Sequence, residues 1–354
     1  MDPAQYLNDL VATLIRENGS DLHLSVGRYP AVRVSGQLVF LVKQDVISRE
    51  QISGILKALL DDDKKYAGFI ERQEVDFSFS YKNGEARMRG NAYFQKGEIA
   101  IALRLIPKVK SLDELNLPKI LADFARKKQG FFLCVGPIGQ GKSTTLASMV
   151  SMINEERSEH ILTIEDPIEY LFEPKRSIID QREIGIDTSD FQTALTSVFR
   201  EDVNVIMVGE MRNPETISTA VTAAETGHLV FSTLHTNNAS QTIDRIIDSF
   251  PAGQQDQIRI QLAGSLLGIF SQRLIPRIAG GRVPAYELLI NNNAVANLIR
   301  ERRTHEIDVV IETAFESGMI DMNRSLLELV RKGEISMENA YTYSFNPKAL
   351  ERLL

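Results

Sequence analysis

Eight residues restrict the fold of this chain more than any others. Gly136-Pro137-Ile138-Gly139-Gln140-Gly141-Lys142-Ser143 satisfies the pattern G-x-x-x-x-G-K-[ST] at every position. The stretch before it, Gly130 to Val135, is apolar throughout and reads as a buried strand; the stretch after it, Lys142 to Asn154, reads as a helix. Strand, glycine turn and helix in that order form a cradle for phosphate. The glycines let backbone N–H groups converge on anionic oxygens, and the helix amino end adds its positive dipole. On this reading Gly136, Pro137, Ile138, Gly139, Gln140, Gly141, Lys142, Ser143 and the adjoining Thr144 hold a nucleotide. Lys142 reaches the β- and γ-phosphates and the Ser143 hydroxyl ligates Mg²⁺. Cys134, on the strand just before the loop, reads as a small buried residue.

The loop sits in a repeating pattern. Ile161 to Ile164, Val203 to Val208 and Leu229 to Leu234 are short apolar strands, and Asp190 to Arg200 and Pro214 to Glu225 are helices between them. Such alternation implies a parallel sheet covered on both faces. The last ~80 residues are mostly helical by pattern. The first ~105 residues read differently, as α+β. A helix is expected from Pro3 to Glu17, strands at Asp21 to Val26, Ala31 to Val34 and Gln37 to Val42, and a helix capped by Ser48 through Leu60. Strands Val75 to Tyr81 and Ala86 to Phe94 flank a turn at Lys82-Asn83-Gly84, and a further strand runs from Ile99 to Leu105. The expected organisation is therefore residues 1–106 as one domain, 107–116 as a linker, 117–290 as the nucleotide-binding core and 291–354 as a helical C-terminal region.

Composition narrows the class. With 354 residues, 43% hydrophobic and 25% charged, the chain is globular and long enough for two domains. One cysteine excludes a disulfide framework and a Cys-based zinc site. No run approaches ~18 apolar residues, and the N-terminus carries no signal-peptide pattern, so the expected location is the cytosol. A net charge of -7 argues against a dedicated nucleic-acid binder. The charge is uneven, +2 over residues 1–110 and -9 over the rest, which supports a boundary near Ile106-Pro107.

A phosphate loop alone does not define a reaction, but two acidic clusters follow strands of the same sheet. Glu165-Asp166 ends one and Glu210 follows another. Ligands of open α/β sheets bind at the carboxyl ends of strands, where a carboxylate can orient a water or hold Mg²⁺. His228 opens the strand Leu229 to Leu234 and His235 closes it. The spacing argues against a zinc pair, because seven residues of strand separate them by more than about 20 Å. His235 lies at the nucleotide end and is placed to touch a γ-phosphate, while His228 reads equally well as a structural histidine. In the N-terminal region, period-2 alternation puts Ala86, Met88, Ala92 and Phe94 on one strand face and Arg87, Arg89, Asn91 and Tyr93 on the other. Taken alone, that arginine pair reads as a solvated face.

Taken together these motifs resemble the secretion ATPases of the type II/type IV pilus superfamily, and within it the pilus-retraction branch. GPIGQGKSTT is similar to the family's Walker A, ILTIEDPIEY to its Asp box, VIMVGEMR to its Walker B and TGHLVFSTLHTNNA to its His box. QREIGIDT, from Gln181 to Thr188, and AVANLIRE, from Ala294 to Glu301, are further matches. The resemblance implies a PAS-like N-terminal domain followed by a RecA-like P-loop NTPase domain with a helical C-terminal part, assembled as a homohexamer that hydrolyses ATP with Mg²⁺. It assigns Glu165 as catalytic glutamate and Glu210 as organiser of Mg²⁺. It also gives Arg87, Arg89 and Arg104 a role as trans-acting fingers on a neighbouring subunit's nucleotide, with Arg200 and Arg212 as lesser candidates. Two positions depart from the family pattern: Asn204, where an acid is usual before Walker B, and Ala296, where the C-terminal motif usually has arginine.

The resemblance implies a motor for type IV pilus retraction that works at the inner face of the cytoplasmic membrane on an inner-membrane pilus platform protein, together with other pilus ATPases and without DNA. The alternatives are a pilus assembly or type II secretion ATPase, an accessory retraction paralogue, a nucleotide-gated scaffold and a DNA-translocating ring. Assembly relatives usually carry an extra N-terminal domain and a four-cysteine zinc insertion, neither of which this chain shows. Glu165 and Glu210 argue against a non-hydrolysing scaffold. The lack of a Lys/Arg-rich stripe outside Arg300, Arg302 and Arg303 argues against DNA.

Overall fold

A computed structural model describes all residues except 1, 35, 83–85, 212 and 354. The Asn83-Gly84 turn and Arg212 therefore lie outside the described residues. The chain divides into two compact units, Met1–Lys108 and Val109–Leu354.

The first unit is the PAS-like α+β fold. Helix α1 (Pro3–Arg16) begins with Pro at its first position and an Asp2 cap, and it buries Leu7, Leu10, Val11 and Leu14 along one stripe. Strands β1 (Gly19–Ser25), β2 (Ala31–Val34) and β3 (Gln37–Phe40) follow. Helix α2 (Arg49–Leu60) opens on a full capping box: the Gln51 N–H donates to the Ser48 hydroxyl, and the Ser48 N–H donates back to Gln51 Oε1. Helix α3 (Asp63–Arg72) was not expected from sequence. Only Phe69 is buried on it, so its periodic apolar signal is too thin to read. Strands β4 (Glu74–Tyr81), β5 (Ala86–Gln95) and β6 (Glu98–Ile106) complete an antiparallel sheet ordered β3-β2-β1-β6-β5-β4. Its inner face packs Leu22, Leu24, Met88, Ala92, Ile101 and Leu103 against the helices.

The outer face of that sheet carries the arginines. Register pairs Arg89 with Arg104, and Arg87 sits opposite Ile106 near the end of the ladder. Two like charges directly opposite each other repel. Asp21, opposite Arg104 on β1, offsets this: its carboxylate accepts from Arg104 Nε at 2.8 Å and lies 3.7 Å from Arg33 Nε. Burial alone would raise the Asp21 carboxyl, but hydrogen bonds from Ser20 and Arg104 outweigh it and leave its pKa lowered.

The second unit is the RecA-like core. After α4 (Ile120–Ala125) come β7 (Gly130–Val135), α5 (Lys142–Glu156), β8 (His160–Glu165) and β9 (Ile178–Glu183). Then follow α6 (Phe191–Ser197), β10 (Val205–Val208), α7 (Pro214–Glu225), β11 (Leu229–Leu234), α8 (Ala239–Asp248) and α9 (Gln255–Ser265). An antiparallel hairpin, β12 (Leu266–Pro276) and β13 (Arg282–Ile290), closes a seven-stranded sheet ordered β13-β12-β7-β11-β10-β8-β9. Every other neighbouring pair is parallel.

Alternation along β7 shows why both faces are covered. Phe131, Leu133 and Val135 face the layer containing α6 to α9, and Phe132 and Cys134 face Leu146, Met149 and Val150 of α5. All five are fully buried, and each large side chain contributes about 1.5–3 kcal/mol of hydrophobic stabilisation. The remaining helices are α10 (Asn293–Arg300), α11 (Ile307–Thr313), α12 (Met322–Arg331), α13 (Met337–Tyr343) and α14 (Pro347–Arg352).

Two sequence expectations need correction here, and one strand goes beyond them. The last ~80 residues are helical only from Asn293 onward, because β13 and the end of β12 lie within them. Strand β9 gives no strand signal in the sequence, since after Ile178 and Ile179 its four remaining residues, Asp180 to Glu183, are all polar. The strand expected at Val203 starts at Val205, because Asn204 is spent on a bridge: its side chain accepts from the His160 N–H at 2.8 Å.

Candidate active site

Parallel register brings the expected chemistry to one sheet end. Val135 pairs with Leu234, and Ile164 pairs with Val208, so the residues that follow them emerge together at the strand carboxyl ends. A cleft of about 400 Å³ opens there, lined by Ile138 to Thr144, Glu165, Glu210 and His235. All of its lining residues belong to the second unit.

Gly136 and Pro137 do not line the cleft. Their carbonyls accept from Lys142 Nζ at 2.8 and 2.9 Å. Lys142 is 7% exposed, and burial lowers its pKa against the opposing pull of nearby acids, Glu169 and Glu210 among them. Gly136 has φ 140°, and a Cβ there would collide with the Gln272 carbonyl oxygen, so this position requires glycine.

Glu165 ends β8 and is almost wholly buried. One oxygen accepts from the Thr163 hydroxyl at 2.8 Å and the Gln181 amide at 3.4 Å; the other accepts from the Glu169 N–H at 3.2 Å. Burial dominates these bonds and pushes its pKa up to about 7. A carboxylate held near neutrality and aimed into a phosphate cleft suits proton transfer from water. Glu210, after β10, has Oε2 3.5 Å from His235 Nε2, and His235 Nδ1 lies 3.3 Å from Lys142 Nζ. His235 thus bridges the phosphate-loop lysine and the second acid. His228 stays at the other end of β11, where its ring bonds the Ala223 carbonyl at 3.0 Å and packs edge-on to Phe199.

Mg²⁺ takes hard oxygen ligands and keeps several waters or phosphate oxygens in its shell. The donor set fits it, because a hydroxyl from Ser143 and carboxylates from Glu165 and Glu210 line the same cleft and no thiol does.

Other expected residues fall elsewhere. Arg87, Arg89 and Arg104 cluster on the outer sheet face of the first unit. Arg200 is exposed at the end of a short helical turn before β10, whereas the cleft lies beyond the opposite end of that strand. Asn204 is likewise at the amino end of β10, so the departure from an acid there leaves the cleft untouched. Ala296 on α10 is 6% exposed and packs in the same core as Val295 and Ile299, where a small apolar residue suits the space.

Sequence reasoning missed three residues around the loop. The Tyr170 hydroxyl bonds Thr144 Oγ1 at 2.7 Å. Arg282 lines the cleft and donates to the Gly139 carbonyl at 3.3 Å. Gln272 is 2% exposed and bonds both Gln140 and Thr145. Tyr170 closes the quoted ILTIEDPIEY segment and Gln272 falls in a polar Ser-Gln-Arg interruption of the otherwise apolar run LLGIFSQRLIP, whereas Arg282 left no trace.

A glycine cradle, a buried lysine and two acids at the carboxyl edge of a RecA-like sheet define a P-loop ATPase. The chain also matches the family model of type II/IV secretion system proteins over residues 4–281. It belongs to that family. It is 43% identical to the "Type IV pilus retractation ATPase PilT" of Pseudomonas aeruginosa, over 94% of this chain and 96% of that one. It is 45% identical to the "Twitching motility protein" of Neisseria gonorrhoeae, over 91% of this chain and 86% of that one. A crystal structure of the pilus retraction motor PilT with bound ADP superposes with a TM-score of 0.91 at 45% identity, covering 98% of each chain.

Proposed function

We propose that this protein is a ring-forming Mg²⁺-dependent ATPase that drives type IV pilus retraction. The observation that carries the reading is the convergence of Lys142, Ser143, Glu165 and Glu210 in one cleft, in a chain similar over nearly its whole length to a retraction motor.

In this reading the loop amides from Gly139 to Ser143 and the Lys142 ammonium hold the ATP phosphates. Ser143 and Glu210 hold Mg²⁺, which supplies charge neutralisation on the phosphate oxygens when bound. Glu165 orients the attacking water and accepts its proton at a carboxylate oxygen. Burial of that carboxylate suits the task, since an acid titrating near neutrality is a stronger base than an exposed one. His235, between Lys142 and Glu210, reports on the γ-phosphate position. Arg87, Arg89 and Arg104 belong to a homohexamer in which each subunit's arginines stabilise charge on the next subunit's nucleotide, a contribution worth about 10³-fold or more in rate. ATP turnover around the ring moves an inner-membrane platform protein from the cytoplasmic side. Among the described residues no helix is long and apolar enough to cross a membrane.

Two measurements test this. Purified Glu210→Gln protein should bind ATP and fail to hydrolyse it; wild-type turnover in the variant would remove Glu210 from the machinery. Deleting the gene should leave cells hyperpiliated and unable to twitch. Bald cells would instead make this an assembly ATPase.

A further inference from the structure

Strand β12 touches both catalytic loops, and it does so with alternate residues. On one face, the Gln272 side chain donates to the Gln140 carbonyl at 2.7 Å and accepts from the Thr145 hydroxyl at 2.6 Å; in the plane of the sheet, the Leu274 N–H donates to Gln140 Oε1 at 2.6 Å. On the other face, the Ser271 hydroxyl donates to the Asn237 carbonyl at 2.6 Å, and Arg273 Nη2 donates to Asn237 Oδ1 at 2.8 Å. Asn237 lies two residues beyond His235. The next residues along that loop are also held from the hairpin, because Glu287 on β13 accepts from the Ala239 N–H at 2.8 Å.

We propose that β12 is a two-faced positioning strand, in which Gln272 sets the phosphate loop for nucleotide while Ser271 and Arg273 set the His235 loop for hydrolysis. This rests on the ATPase reading of the cleft. Period 2 is the reason one strand can serve both loops, since successive side chains point to opposite faces. One tie on each face is made by a buried residue, Ser271 at 0% and Gln272 at 2% exposure, while the Arg273–Asn237 bond is exposed. A buried hydrogen bond that loses one partner strands the other without water, so its loss is felt more than an exposed one. The phosphate loop is also in direct steric register with the strand, because Gly136 has room only for a hydrogen against the Gln272 carbonyl. Neither Gln272 nor Ser271 lines the cleft, so each acts through the loop it holds and not on the nucleotide.

The two faces therefore predict different kinetic signatures in the full-length protein. Gln272→Leu should raise the calorimetric Kd for ADP about tenfold, with KM for ATP rising in step and kcat at saturation within about twofold of wild type. Ser271→Ala and Arg273→Leu should leave the ADP Kd within about twofold and lower kcat about tenfold. Thermal melts of all three should confirm folding. If Gln272→Leu does not fold, Thr145→Val cuts the same link from the α5 side and should raise the ADP Kd severalfold. The proposal is overturned if the two faces move the same parameter, or if folded variants of either face leave both parameters unchanged. Failure of the wild-type protein itself to bind ADP would instead remove the ATPase reading on which the proposal stands.

Discussion

Replacing Glu165 with Gln separates the cost of burying this carboxyl from its use in catalysis. Its pKa moves from 4.5 to about 7 because burial outweighs the bonds from Thr163, Glu169 and Gln181. At about 1.4 kcal/mol per pH unit, the folded state disfavours the ionised form by about 3 kcal/mol. The sign follows from proton counts. Between pH 4.5 and 7 the native state keeps a proton that the unfolded chain has released, so stability falls as pH rises through that window. The penalty is absent below pH 4.5 and complete above the folded pKa of about 7. Glu287, also buried and pushed up to about 8, adds a slope of the same sign, but it is present in both proteins and cancels in their difference. Urea unfolding of wild type and Glu165→Gln at pH 4.5, 6, 7 and 8 should therefore show wild type losing about 3 kcal/mol relative to the variant. The kcat of wild type should rise with pH along a limb centred near 7, as its base ionises, and the variant should lack turnover. A stability difference constant to within about 1 kcal/mol across that range would refute the burial argument. A flat kcat profile from pH 6 to 8 would refute the assignment of the base.

Three shorter expectations follow from the same structure. Gly136→Ala should destabilise the second unit by about 2–4 kcal/mol and abolish nucleotide binding, because its methyl group meets the Gln272 carbonyl; melting and ADP calorimetry would check both. Cys134 should react with a thiol reagent only on unfolding, since burial pushes its thiol up to about 12, and a fast-reacting thiol in the native protein would contradict this packing. Asp21→Asn should cost the first unit about 1–3 kcal/mol at neutral pH, as Asp21 is buried beneath Arg104 and Arg33. Because the Asp21 pKa is lowered, that stabilisation is complete above the unfolded value of 3.8 and lost as pH falls through the folded one, so the variant and wild type should converge in acid.

How much of this molecule was legible beforehand varied with the range of the signal. Local signals read well. Ser48 announced its helix through a capping box closed within four residues, and the Ala86–Gln95 alternation separated Met88 and Ala92 from Arg87 and Arg89 as the sheet does. Strands buried on both faces were visible as apolar runs, and β7 and β11 have the bounds the sequence suggested. Elements with weak or mixed patterns were lost. Helix α3 buries one residue, and β9 is a polar strand whose place depends on lying beside β8.

The sequence by itself determined the phosphate cradle, the acids at two strand ends and the arginine-bearing face, because each is written in residues close together along the chain. Tertiary structure decided what surrounds them. That Glu165 is buried enough to titrate near 7, that His235 stands between Lys142 and Glu210, and that Arg104 is bound to Asp21 all depend on contacts between residues far apart in sequence. The same holds for Gln272, which lies 132 residues from the Gln140 carbonyl it holds. A local pattern can place a side chain on a face, but its partners, its dielectric surroundings and hence its acidity are set only when distant strands pair.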